Sequence, residues 1–160
     1  MTNSLTRELF RATALTFDSL AFAIVSSEMP PADVEPRLDG AVEVGFHGSF
    51  GGRLVLGVSG GILPGLAANM LGDEDSMTPQ AQWDALGEMA NVICGNVLTG
   101  IAGREGSFLL DAPKRVGELG LSAPSDVETA RIQLGLEEGR ADVLLVLDRA
   151  PAPIVEGPNP

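Results

Sequence analysis

The stretch Asp84-Ala-Leu-Gly87-Glu88-Met-Ala-Asn91-Val-Ile-Cys-Gly95 decides how the rest of the chain is read. At about 100° per residue, an α-helix brings Asp84, Glu88 and Asn91 to within roughly 60° of one another, with Gly95 among them one turn on. The spacing predicts a narrow polar ridge. Trp83, Leu86, Ala90, Ile93, Val97 and Ile101 recur on the other side as an apolar stripe, so the helix packs from behind and holds a carboxylate and an amide outward.

The same helix carries residues that propensity would not choose. Gly87, Asn91, Gly95, Asn96 and Gly100 each cost about 0.5–1 kcal/mol relative to Ala in a helix interior. Packing of the apolar stripe offsets this, and the glycines point to close approach of another backbone, from the same fold or from a partner. Periodicity alone also describes a plain solvated face.

Outward from this helix, Thr78 stands ready to cap it with Pro79 in its first turn, and it stops near Gly100 to Gly103. Upstream, Ile62 to Leu71 is a short, almost wholly apolar helix, expected to be buried, followed by the acidic loop Asp73 to Asp75. Before it, Val42, Val44 and Phe46 alternate with Glu43 and Gly45, and Leu54, Leu56 and Val58 alternate after the turn Gly48-Ser-Phe-Gly51-Gly52, which makes a β-hairpin. The chain opens on an amphipathic helix from Leu5 to Val25, with Leu5, Leu9, Ala12, Thr16, Leu20 and Ile24 on its stripe; Met29 to Pro36 then links to the first strand.

Downstream, Phe108 to Leu110 is a short strand, and Asp111 to Asp126 an irregular or extended connection. Alternation from Ala130 to Leu136, the turn Glu137-Glu138-Gly139 and the run Val143 to Leu147 form a second hairpin. The order predicts an α+β fold, with helices laid on an antiparallel sheet of five or so strands. One domain over 1–150 is expected, followed by a Pro-rich mobile tail over 151–160.

Composition removes whole classes of function. A net charge of −12 and a pI near 4.3 repel phosphate backbones and anionic headgroups, and the basic residues are scattered, so no nucleic acid is expected. No run of about 18 apolar residues offers a membrane span, and no signal-like segment opens the chain; no membrane insertion and a cytoplasmic location are expected. One Cys and one His cannot build a disulfide or a Cys/His zinc site, and no Walker loop or nucleophile elbow occurs. Cys94, at the edge of the stripe, reads as a packing residue, and His47, beside Gly48, as a turn residue.

With this order in place, the chain resembles the CheX/CheC/FliY family of chemotaxis phosphatases, on the CheX side, from about Leu5 to Asp148. The most specific element is the family motif of a small polar or acidic residue, three residues, Glu, two residues and Asn, matched by Asp84, Glu88 and Asn91 and followed by Gly95. Weaker support comes from Gly48 to Leu56, from Ala67 to Gly72 and from Leu110-Asp-Ala-Pro113-Lys-Arg-Val-Gly117. A bare Glu-x-x-Asn carries little, because Glu156-Gly-Pro-Asn159 matches it within the Pro-rich tail.

The resemblance implies a CheC-like fold and a phosphatase acting on the aspartyl phosphate of a CheY-type receiver. It makes Asn91 the residue that orients the attacking water and Glu88 the one that pairs with the receiver's Lys. Asp84 and Gly95 complete the partner-binding surface. The chain needs no metal or cofactor of its own, the Mg²⁺ being the receiver's. CheC-type members carry two such helices; only one copy stands here, so a two-site arrangement is excluded. A homodimer through sheet edges is expected from the exposed edge strands and the family habit. Two other readings stay open: a module that binds a receiver or flagellar-switch component without hydrolysis, and an unrelated hydrolase with Glu88 as general base. The last requires a concave pocket, of which the sequence gives no sign.

Overall fold

A computed structural model describes residues 4–21, 38–72, 78–103, 106–117, 127–136 and 139–148. The expectations for 22–37, 73–77, 118–126, Glu137-Glu138 and the tail from Pro151 lie outside these residues.

Among the described residues, three helices and six strands follow in the order α1 (Ser4–Ala21), β1 (Leu38–Gly48), β2 (Gly52–Ser59), α2 (Leu63–Leu71), α3 (Pro79–Ala102), β3 (Phe108–Leu110), β4 (Lys114–Arg115), β5 (Glu128–Gly135) and β6 (Arg140–Leu147). The sheet is antiparallel, ordered β3-β1-β2-β6-β5, with β4 also pairing β1. The fold is α+β, as the periodicities require. Both hairpins form, with Val42 opposite Leu56 and Ile132 opposite Val143.

Helices cover one face of this sheet. Val44, Leu54, Leu56, Leu134 and Leu145 are buried with Leu9 and Phe17 of α1 and with Leu86, Met89, Ile93 and Val97 of α3. α3 is buried more widely than a single stripe allows: Ala85, Met89, Cys94 and Leu98 join Leu86, Ala90, Ile93 and Val97. The cause is that α3 packs on α1, α2 and the sheet at once. Although α3 is long and apolar enough to cross a membrane, this packing accounts for its apolar residues inside the fold.

Some expectations are corrected. α2 buries only Leu63, Leu66 and Ala67, and leaves Pro64, Gly65, Asn69 and Leu71 exposed, because it lies at the margin of the helical layer rather than beneath it. Alternation in β2 and β6 breaks down: Val55, Leu144 and Val146 form a second buried cluster on the other face of the sheet. Within the connection expected to be irregular or extended from Asp111, Lys114–Arg115 is extended and forms the two-residue β4, paired with Val42 and Glu43.

Candidate functional site

α3 is fixed at both ends. Thr78 accepts a hydrogen bond from the Ala81 N–H at 3.1 Å, Pro79 follows in the first turn, and Gly103 ends the helix with φ 76°, a left-handed conformation that favours glycine. Between these ends the buried rows leave one polar face. Asp84 and Glu88 are exposed, and Asn91 and Gly95 are partly exposed beside them. The structure therefore brings together all four residues singled out from the sequence. Among the described residues, Glu88 and Asn91 make no hydrogen bond or ion pair, so carboxylate and amide are presented together, free of intramolecular partners.

The glycines divide into two kinds. A Cβ at Gly87 would stand 3.1 Å from Pro113 Cβ, and one at Gly100 would run into the Glu8 carboxylate of α1, whereas one at Gly95 would meet nothing within 4 Å. Gly87 and Gly100 thus admit neighbours from the same fold. Gly95 leaves an open backbone beside Asn91.

A feature not expected from the sequence adjoins the ridge. Gln80, Trp83, Asp84, Glu88, Asn91 and Arg115 line a groove of about 260 Å³, with Val42, Gly87 and Pro113 completing it. Its second wall comes from the β3–β4 segment. Phe108 meets Phe46 and Phe50 edge to face, with centroids 6.1 and 4.8 Å apart, which holds β3 on β1. Between the pairs Phe46–Leu110 and Glu43–Lys114, Val44 and Gly45 of β1 face Asp111, Ala112 and Pro113. The extra residue makes a bulge, and it accompanies the seating of Pro113 on Gly87.

Beyond the bulge, pairing sends successive side chains to opposite faces. Lys114, opposite Glu43, forms an ion pair with it at 3.3 Å. Arg115, opposite Val42, lies on the helix side, where its guanidinium stacks 4.5 Å from the Trp83 ring centre. Its Nη2 donates to Gln80 Oε1 at 3.0 Å, and Gln80 Nε2 donates to Asp84 Oδ1 at 2.8 Å. Asp84 is thereby tied back toward the start of α3. The sequence singled out this wall only as part of the stretch Leu110 to Gly117, whose placement against α3 depends on a strand register invisible in the sequence.

Cys94 is fully buried, and burial pushes its thiol up to about 12, so it is a packed apolar group and not a poised thiolate. His47 is exposed at the end of β1, 3.9 Å from the Asp111 carboxylate, and lies outside the groove lining. No cluster of three or more His, Cys, Asp or Glu side chains suited to a metal occurs among the described residues.

A family model described as "Chemotaxis phosphatase CheX" matches residues 41–135, more than half of the chain and all of α3. No curated protein matches at the level of sequence. Among solved structures, a chemotaxis protein CheX from Desulfovibrio desulfuricans superposes with a TM-score of 0.73 at 19% identity, covering 91% of this chain and 100% of that one. A CheX–CheY–BeF3–Mg²⁺ complex from Borrelia burgdorferi gives 0.66 at 14% identity, with 94% and 100% covered. The FliM middle domain from H. pylori gives 0.55 at 12% identity, with 92% and 93% covered. At these identities the structural matches establish a shared CheC-like fold.

Proposed function

The chain belongs to the CheX family of chemotaxis phosphatases, and from that premise we propose that it hydrolyses the aspartyl phosphate of a CheY-type receiver domain. One observation carries the reading: Glu88, exposed, and Asn91, partly exposed, stand side by side on a capped helix without intramolecular partners among the described residues. Support for the partner's class comes from the Borrelia burgdorferi relative, whose structure is a complex with CheY, BeF3 and Mg²⁺.

In this reading Glu88 pairs with the receiver's Lys and anchors the complex. Asn91 enters the receiver's site, where its amide orients a water for in-line attack on phosphorus. The receiver carries the Mg²⁺ that neutralises charge on the phosphoryl oxygens. Catalysis of this kind needs placement and electrostatics rather than a nucleophile. It therefore agrees with the inertness of Cys94 and with the position of His47 outside the groove. Asp84 and Gly95 belong to the docking surface. The activity resides in one domain over 1–150, acting in the cytoplasm.

The test follows the lifetime of a receiver's acyl phosphate. Asn91→Ala should abolish acceleration of its decay while leaving binding of a beryllofluoride-charged receiver intact, since misplacing a water costs rate more than affinity. Glu88→Lys should weaken binding as well, because it sets like charge against the receiver's Lys. Equal acceleration by wild type and Asn91→Ala would sink the catalytic assignment. If wild type itself binds without shortening the lifetime, the chain is a docking module.

A further inference from the structure

The groove beside the ridge has walls of opposite charge. Glu88 stands on α3 and Arg115 on β4, both lining the same 260 Å³ space. Arg115 differs from its neighbour Lys114, which is ion-paired with Glu43. Although acidic residues outnumber basic ones 22 to 10, Arg115 pairs with no carboxylate among the described residues; its contacts are the neutral Gln80 amide and the Trp83 ring.

Those two contacts are what an arginine needs in order to be held ready. Stacking on indole fixes the plane of the guanidinium, and one hydrogen bond fixes its rotation, while the fork keeps further N–H donors. Trp83 is itself held from behind, since a Cβ at Gly40 would stand 3.2 Å from its ring. A cation immobilised in this way loses little entropy on meeting an anion. Gln80, meanwhile, holds Asp84 by its other end, which leaves the Asp84 carboxylate directed to an amide rather than to Arg115.

We infer that Arg115 is a specificity determinant of the docking surface: it receives a carboxylate of the receiver partner while Glu88 receives its cation, so that only a receiver with the matching pair of charges seats with Asn91 in place. The inference rests on the receiver reading above and adds its recognition code. Acid on one wall and base on the other fix the partner's orientation as well as its sign.

The experiment titrates the full chain with a CheY-type receiver domain charged with beryllium fluoride and Mg²⁺, at two ionic strengths. Binding is read by the fluorescence of Trp83, the chain's single tryptophan. Arg115→Gln is expected to weaken binding about three- to tenfold at low salt and to flatten its salt dependence. Arg115→Lys should retain the salt dependence and fall between the two in affinity. Unchanged affinity and salt dependence in Arg115→Gln would overturn the inference and leave hydrolysis, which Asn91→Ala decides, untouched. Equal weakening by Gln and Lys with the salt dependence of wild type would also overturn it, because Arg115 would then merely hold Trp83 and Gln80 in place. A wild-type chain that binds no such receiver would remove both this inference and the reading beneath it.

Discussion

Pro113 lies against the bare Cα of Gly87, so closely that a methyl added there would stand 3.1 Å from the proline's Cβ. This contact brings the β3–β4 segment onto α3 next to Glu88, and it sets the width of the groove. A branched side chain at 87 has nowhere to go without moving Pro113. Gly87→Val should therefore cost about 1–3 kcal/mol, the usual penalty of overpacking. It should also weaken receiver binding more than Asn91→Ala does. Thermal denaturation and receiver titration check the pair, and a Gly87→Val protein with wild-type values for both would show that Pro113 yields freely.

Gly95 makes the opposite prediction for stability. Its added Cβ meets nothing within 4 Å, so Gly95→Ala should raise stability by about 1 kcal/mol through helix propensity. If the open backbone there accommodates a docked receiver, the same change should lower receiver affinity several-fold. Gain in one property and loss in the other is the diagnostic result. Stabilisation with undiminished affinity would remove Gly95 from the docking surface.

Cys94 links stability to alkaline pH. Its thiol is pushed up to about 12 in the folded protein, while in the unfolded chain it ionises near its ordinary value of about 8.5. Above that value the unfolded state sheds a proton that the folded state keeps, so stability falls as pH rises, by up to about 1.4 kcal/mol per pH unit from this group. The contribution is whole below pH 8 and disappears toward pH 12. Chemical denaturation of wild type and Cys94→Ala across pH 8 to 11 should give a steeper loss for wild type, and thiol reagents should leave the folded protein unlabelled. Receiver dephosphorylation by Cys94→Ala should stay within a few-fold of wild type; its abolition in a folded variant would argue for a thiol mechanism.

We expect a homodimer joined through sheet edges. Among the described residues, β5 closes one side of the sheet and β3 with β4 the other, and Leu109 of β3 is 69% exposed, an apolar side chain on an edge that no described strand pairs. Light scattering should give twice the 16.6 kDa chain mass. Leu109→Lys should shift the protein toward monomer if β3 is the edge used. A wild-type monomer at micromolar concentration would remove the expectation and leave the phosphatase assignment standing.

Much of this fold is legible from local pattern. The Thr78-Pro79 start, the Gly103 stop and both hairpins follow from residues adjacent in sequence, and so does the ridge of Asp84, Glu88 and Asn91. What escapes local reading is whatever depends on packing from afar. β4 is two exposed basic residues with no apolar alternation, and it becomes a strand through Val42 and Glu43, some seventy positions upstream. Cys94 reads as marginal on a single stripe but is enclosed by helices on a second side. The groove needed Arg115 and Pro113 set against α3, a juxtaposition created by the bulge at Asp111 to Pro113.

The two walls of that groove come from different parts of the chain. Glu88 and Asn91 sit on a helix whose burial leaves little freedom to change, whereas Arg115 is an exposed residue on a two-residue edge strand. A substitution at 115 can alter which surface fits without disturbing α3's buried rows. On the proposed roles, the part of recognition carried by Arg115 is mutable separately from α3, and a duplicated gene could acquire a new partner through its edge strand while inheriting that helix intact.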